Sequence, residues 1–141
     1  MSEHPGLRAP AVPDDRSCTF YRYRITLDAR ELGFAAPPVE LRDRVLHALQ
    51  REGVAASLWQ LAPLPSQPVF ARRRHPSWDP AAHPVAARLL ESSIVIGTAE
   101  HMLCNQPASL MDQYAEAFGK VLEERDRLFT GDYVPVRTWP P

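Results

Sequence analysis

The sequence predicts a small α+β domain, in which helices pack against a short and mainly antiparallel sheet. Two periodicities carry this prediction, because apolar residues alternate with polar ones over residues 21–27 and recur at helical spacing over residues 39–50. Along the chain the predicted elements follow the order strand, helix, strand, long loop, helix, strand and helix. That mixed order is typical of a sandwich with about three helices on one sheet.

The beginning of the chain divides into two predicted parts. Residues 1–17 contain three prolines and no periodicity, which predicts a mobile leader before a domain over residues 18–128. A half-buried strand is then predicted, because four apolar side chains alternate with arginines and a threonine: Tyr21, Tyr23, Ile25 and Leu27.

The first helix is predicted to begin at Pro37-Pro38, since proline is favoured in the first turn, and to end near Gly53. Its apolar stripe consists of Leu41, Val45, Leu46 and Leu49. A second strand is predicted over residues 54–60. Residues 61–80 hold five prolines, so they are expected to form a long surface loop.

The second half of the chain predicts a helix, a strand and a helix. The helix over residues 84–91 would bury Val85, Ala86, Leu89 and Leu90, and the strand over residues 93–97 would be buried on both faces. The last helix, over residues 109–128, has an apolar face made of Tyr114, Ala117, Phe118, Val121 and Leu122. Residues 129–141 predict an extended tail that partly docks, since it is rich in aromatic and branched side chains.

The composition limits the classes of function. The chain has 141 residues, of which 45% are apolar and 23% charged, as in a globular protein of one domain. The formal net charge of −1 offers no basic surface for nucleic acid. No apolar run is long enough to span a membrane, and the N-terminus lacks a signal-peptide core. We therefore expect a cytoplasmic protein that binds neither nucleic acid nor a membrane.

Several short motifs occur in a fixed order over residues 20–125. They are Arg30-Glu31-Leu32-Gly33, the segment 49–54, Pro63-Leu64, the segment 67–70 and Gln106-Pro107. In this order and spacing the chain resembles the C-terminal small domain of the DegT/StrS family of sugar aminotransferases, which use pyridoxal phosphate (PLP). The resemblance implies a small domain that stands alone, without the large PLP-binding domain, in a specialised-metabolite pathway. In the family this domain covers the active site and lends side chains to substrate binding.

The chain departs from the family pattern at its polar positions. Trp59-Gln60 stands where the pattern has His-Tyr, and Pro63-Leu64-Pro65 stands where it has Pro-Leu-His. Both imidazoles that would meet a phosphorylated sugar are therefore missing. The resemblance places the substrate site at Trp59 and Gln60, so these two residues are candidates for contacting a ligand.

One lysine limits the chemistry further. PLP enzymes hold their cofactor as a Schiff base on a lysine amine, and Lys120 is the only lysine of the chain. The helical pattern places Lys120 opposite the apolar face of the last helix, where a solvated amine stays protonated and is a poor nucleophile. We expect a surface lysine and no cofactor, unless a partner chain supplies the Schiff-base lysine for PLP.

Candidate ligand-binding residues are Trp59, Gln60, Gln67 and Trp78, as an aromatic wall with two hydrogen-bonding amides. The alternative is that the aromatic residues belong to the core, which we expect for Phe70, and that the glutamines lie along a strand edge. If the protein is an enzyme, Glu100, His101 and Cys104 are its candidate acid–base and nucleophilic groups. The alternative for Cys104 is a small buried thiol. His75 and His83 lack a third ligand at a useful spacing, so no metal site is predicted.

Three functions remain open from the sequence. The first is an accessory subunit or small-molecule-binding protein without PLP chemistry. The second is a recruited PLP-independent enzyme, for example a cyclase or isomerase, and the third is the small subunit of a split aminotransferase. In each case we expect a homo-oligomer or a separately encoded partner, because the face that the family packs against its large domain needs cover.

Overall fold

Residues 4–71 and 79–136 are described by the computed structural model, and they form a four-stranded antiparallel sheet covered by helices. This confirms the predicted α+β class. The strands are β1 (Leu7–Arg8), β2 (Tyr23–Leu27), β3 (Ala56–Ser57) and β4 (Ser93–Ile96). The helices are α1 (Pro38–Arg51), α2 (Pro68–Ala71), α3 (Pro84–Ser92), α4 (Ala108–Glu123) and α5 (Arg125–Leu128). Within these two ranges, no helix has the length and apolar character needed to cross a bilayer.

The strands lie in the order β1-β2-β4-β3, so that β2 and β4 form the centre of the sheet. In the pairing of these two strands, Ile25 lies opposite Ile94 and Tyr23 lies opposite Ile96. Because side chains alternate across a strand, these residues share one face of the sheet, and Arg24 and Val95 share the other. All four residues of β4 are buried, as expected for a strand that is covered on both faces.

The core lies between the sheet and the helices α1 and α4. The predicted stripe of α1 is buried, and Leu41, Val45 and Leu49 are fully inaccessible to solvent. From α4, Phe118 is fully buried, with Tyr114 and Val121 beside it. The helical periodicity of both segments is therefore confirmed, since the side chains three and four positions apart meet the same surface.

An ion pair is buried among these apolar residues. The Arg42 guanidinium donates through Nε and Nη2 to Asp43 Oδ1, at 2.8 and 2.6 Å, and through Nη1 to the Leu90 carbonyl oxygen at 2.8 Å. Both side chains are almost completely buried, with exposed fractions of 2% and 0%. Through the bond to Leu90, the pair links α1 to the C-terminal part of α3. The sequence pattern did not predict that this pair would be buried.

Three segments differ from the sequence expectation. In the leader, Leu7 pairs with Leu27 and is buried, because Gly6 turns the chain with a φ of +85°. The second strand covers only Ala56–Ser57, which pair with Ile96 and Val95 of β4. The last predicted helix is interrupted at Glu124, which separates α4 from α5.

Three predicted burials are wrong. Val85 on α3 is 76% exposed, and Ala86 is exposed as well, because α3 does not lie over the main core. Leu89 and Leu90 are half-buried and line a surface cleft instead. Phe70, which we expected in the core, is 40% exposed on the short helix α2.

Candidate functional site

A cavity of about 450 Å³ opens on the face of the sheet that carries Arg24 and Val95. Its volume lies within the range of small-molecule sites, about 300–1,000 Å³. Aromatic and aliphatic side chains form most of its wall: Phe20, Tyr21, Trp59, Leu89, Leu90 and Val95. We call this cavity the Arg22 cleft, because the guanidinium of Arg22 is its central polar group.

Local structure explains how these side chains meet. Alternation along the segment into β2 places Arg22 and Arg24 on the side opposite Ile25, which faces the core. The helix α3 leads directly into β4 and closes one side of the cleft with Leu89 and Leu90. The Ser93 hydroxyl donates to the Leu89 carbonyl oxygen at 2.6 Å, which fixes the junction between α3 and β4.

The guanidinium of Arg22 contacts two aromatic rings. Its guanidinium carbon lies 4.9 Å from the centroid of the Trp59 ring and 5.5 Å from that of Tyr21. Both distances are within the range of cation–π attraction. Trp59 is 56% exposed, so the stack leaves part of its ring for contact with another molecule. A planar cation thus lies against two rings in the wall of the cleft.

The residues that line the cleft include two arginines and no carboxylate. In the described ranges, no carboxylate lies within ion-pair distance of Arg22 or Arg24, and the ion pairs involve other basic residues. In addition, the Arg22 Nε is buried and has no hydrogen-bond partner. A buried N–H donor without a partner is costly, and a guanidinium pairs well with the oxygens of carboxylate or phosphate. The cleft therefore has the chemistry to receive an anionic group.

The candidate ligand-binding residues are only partly brought together. Trp59 lines the cleft, whereas Gln60 and Gln67 do not. The backbone N–H of Gln67 donates to the Leu64 carbonyl oxygen and closes a 3-10 turn, and its side chain is half-buried. Trp78 lies outside the described residues, as does His75.

Glu100, His101 and Cys104 do not form a hydrogen-bonded network. The His101 backbone N–H donates to the Thr98 hydroxyl, whereas the Cys104 thiol donates to Asn105 Oδ1 at 3.6 Å. The pKa of the Glu100 carboxyl is lowered, first by its own backbone N–H and then by the Thr98 hydroxyl, with His101 and Arg22 adding to the effect. A carboxyl that stays ionised is a poor general acid, and none of the described hydrogen bonds links Glu100, His101 and Cys104 to one another.

Lys120 occupies an exposed position on α4, as the helical pattern predicts. Its amine donates to both carboxylate oxygens of Glu52, at 2.8 and 2.7 Å, and this pairing raises the pKa of the ammonium. A Schiff-base lysine needs a neutral amine in a sheltered site. Lys120 therefore does not fit the role of a PLP lysine.

Two further observations concern metal ligands and cysteine thiols. Among the residues that the structure describes, no three His, Cys, Asp or Glu side chains converge as a metal site would require. Both thiols, Cys18 and Cys104, are free and exposed.

No protein-family model matches the chain, and no curated protein matches its sequence.

Arg22 and Arg24, the charged residues of the cleft, were not predicted from the sequence as site residues. Arg22 and Arg24 are the polar members of the alternating strand pattern, and that pattern indicates only a solvated face. A signal was present nonetheless, because two arginines on one strand face with no acidic neighbour at positions 20–27 indicate unbalanced charge. The contact with Trp59 joins distant segments, so the sequence pattern could not predict it.

Proposed function

We propose that the chain is an accessory, ligand-binding domain without PLP chemistry of its own, related to the small domain of the DegT/StrS aminotransferases. The proposed ligand is a small molecule that carries an anionic group beside an apolar or aromatic ring. The observation that carries this proposal is the Arg22 guanidinium, which forms none of the described ion pairs and lies over the rings of Tyr21 and Trp59 in the wall of a ligand-sized cleft.

The chemistry of the wall supports this class of ligand. Arg22 and Arg24 would pair with a carboxylate or phosphate, whereas Leu89, Leu90 and Val95 offer an apolar surface to the rest of the molecule. Trp59 stands where the resembling family places a residue of its substrate site, which also favours the cleft. The exposed, ion-paired Lys120 argues against a PLP lysine within these residues.

A titration with two small probes tests the proposal. Phenyl phosphate carries a ring and an anionic group, and benzyl alcohol carries a similar ring without charge. Backbone amide chemical shifts in 15N-labelled protein should move with phenyl phosphate at residues 20–24, 59 and 93–95, and much less with benzyl alcohol. Shifts of equal size with both probes, or none near the cleft, would contradict the proposal.

Two variants make the titration specific. Arg22→Gln removes the stacked cation and should weaken the binding of phenyl phosphate by about tenfold or more, because a hydrogen bond to a charged group contributes about 1.5–3 kcal/mol. Arg51→Gln removes one positive charge from an exposed position at the end of α1, outside the cleft. The control should bind the probe almost as tightly as the parent protein. Equal losses in both variants would indicate attraction by overall charge only.

A partner-binding role is favoured by exposed aliphatic side chains. Leu64, Val69 and Val85 are 54%, 70% and 76% exposed, so each side chain is available for contact with another molecule. We propose that they contact a second copy or a partner protein. Sedimentation velocity at micromolar concentration tests self-association, and a parent protein that remains monomeric leaves only a separate partner. If Val69→Asp leaves a dimer of the parent protein intact, this surface is not its interface.

A further inference from the structure

A second cavity, of about 310 Å³, lies on the core side of the sheet, opposite the Arg22 cleft. Tyr23 and Ile96 belong to its wall, and alternation places them on the sheet face that α4 covers. None of its lining residues carries a charge. They are Phe20, Tyr23, Ile96, Leu103, Met111 and Tyr114, together with Cys104. We call it the apolar cavity.

Two polar groups along this wall already have partners within the protein. The Tyr114 hydroxyl accepts a hydrogen bond from the Ala55 N–H at 3.3 Å. The Cys104 thiol has Asn105 Oδ1 at 3.6 Å as its polar contact. An incoming molecule would therefore meet aromatic and aliphatic surface, with few groups to hydrogen-bond. Apolar cavities of about 150 Å³ already bind benzene, so a cavity of this size has room for a larger ring system.

Phe20 forms the wall between the apolar cavity and the Arg22 cleft, because it lines both. Its φ of +48° is the only positive value among the described residues other than glycine. A bulky residue rarely adopts this conformation, and such strain is concentrated at functional sites. The ring packs against Tyr23, with the two centroids 5.5 Å apart. The strained backbone thus holds an aromatic ring at the boundary of two chemically different cavities.

We propose that the apolar cavity is a binding site for an uncharged aromatic ring compound of about the size of naphthalene. The site is separate from the anion-binding cleft and does not depend on the function proposed for that cleft. The cavity should reject charged ligands, because an ionised ligand group would lose its hydration there without gaining a polar partner from the wall. The exposed thiol of Cys104 at the rim makes the occupancy of the cavity measurable.

The experiment compares the alkylation rates of the two cysteines by iodoacetamide, followed by mass spectrometry. Cys104 lines the apolar cavity and Cys18 lines the Arg22 cleft, so each reports on one site. At a naphthalene concentration about four times its Kd, the alkylation of Cys104 should slow about fivefold, because only the unoccupied fraction reacts. Cys18 should react at an unchanged rate, and naphthalene-2-sulfonate should not protect Cys104.

The proposal is overturned if naphthalene protects neither thiol or both alike, or if the sulfonate protects Cys104 equally well. Substitutions that fill the cavity with a larger side chain give an independent check, in which ligand-observed NMR measures the binding of naphthalene. Cys104→Leu, at an exposed position, and Met111→Trp, on the cavity-facing side of α4, should each abolish naphthalene binding. Both variants should keep the phenyl phosphate response of the cleft, whereas Arg22→Gln should weaken that response and still bind naphthalene. A filled variant that binds naphthalene as well as the parent protein would also overturn it.

Discussion

The Tyr133 hydroxyl donates a hydrogen bond to Asp43 Oδ2 at 2.9 Å, and thereby ties the chain after α5 to the buried ion pair of α1. The same carboxylate oxygen accepts a second bond from the Val136 N–H at 3.0 Å. Since Oδ1 is occupied by Arg42, every side of the Asp43 carboxylate is used. A buried charge is tolerated only when it is paired and hydrogen-bonded in this way.

Removing the Tyr133 hydroxyl should destabilise the fold in a pH-dependent manner. Burial, followed by the bond to Asp43, raises the pKa of Tyr133 to about 12 from 10.0. Its contribution is therefore complete below pH 10 and is lost as the pH rises towards 12, because the unfolded chain releases this proton first. Tyr133→Phe should cost about 2 kcal/mol at neutral pH, the value of a hydrogen bond to a charged group.

Urea unfolding at several pH values measures this effect. The stability difference between the parent protein and Tyr133→Phe should narrow as the pH rises from 10 to 12. Tyr21→Phe serves as the control, since Tyr21 is 45% exposed and donates none of the described hydrogen bonds. A difference that stays constant over this pH range would show that the hydroxyl acts through packing alone.

Asp43→Ala should be among the most destabilising substitutions in the chain. It leaves the guanidinium of Arg42 buried without its counter-charge, and breaking such a pair costs about 3–5 kcal/mol. The double variant Arg42→Met/Asp43→Leu should lose less, because apolar replacement of both partners removes the unpaired charge. Recovery should be incomplete, as Tyr133 and the Val136 N–H still lose their acceptor. Thermal unfolding of the three proteins checks this order, and a double variant less stable than Asp43→Ala would contradict it.

Periodicity predicted the helix faces correctly, because each depends on neighbours within one helix. The burial of Leu41 and Phe118 follows from side chains three and four positions apart. The burial of the Arg42–Asp43 pair was not predicted, because adjacent charged residues on a helix are usually solvated. Their other hydrogen-bond partners lie far away in the sequence: Arg42 donates to the Leu90 carbonyl oxygen, and Asp43 accepts from the Val136 N–H. The stack of Trp59 on Arg22 was missed for the same reason: it joins segments that the pattern treats separately.

Gly6→Ala should destabilise the edge strand through a steric clash. A Cβ atom at this position would lie 2.6 Å from Leu32 Cγ and 3.0 Å from the Leu32 backbone nitrogen. Gly131→Ala is a matched control, because its φ of +91° is similar but nothing lies within 4 Å of the added atom. The control should lose about 1 kcal/mol from backbone strain alone, and Gly6→Ala should lose about 2–3 kcal/mol. Equal losses in urea unfolding would show that Leu32 moves aside without cost.

Glu52→Gln should make Lys120 more reactive towards an aldehyde. In the parent protein the hydrogen bonds and charge of Glu52 raise the pKa of the amine, so the neutral form that attacks PLP is scarce. Without this carboxylate the pKa falls and the amine is free, so the fraction of Lys120 labelled by PLP and borohydride in a fixed time should increase. Glu91→Gln is the matched control, because it removes an exposed carboxylate on α3 and leaves the Lys120–Glu52 ion pair in place. If the parent protein formed an aldimine at Lys120 that survived dialysis, the exposed ion pair would be the wrong description of this residue and the proposed absence of PLP chemistry would fail with it.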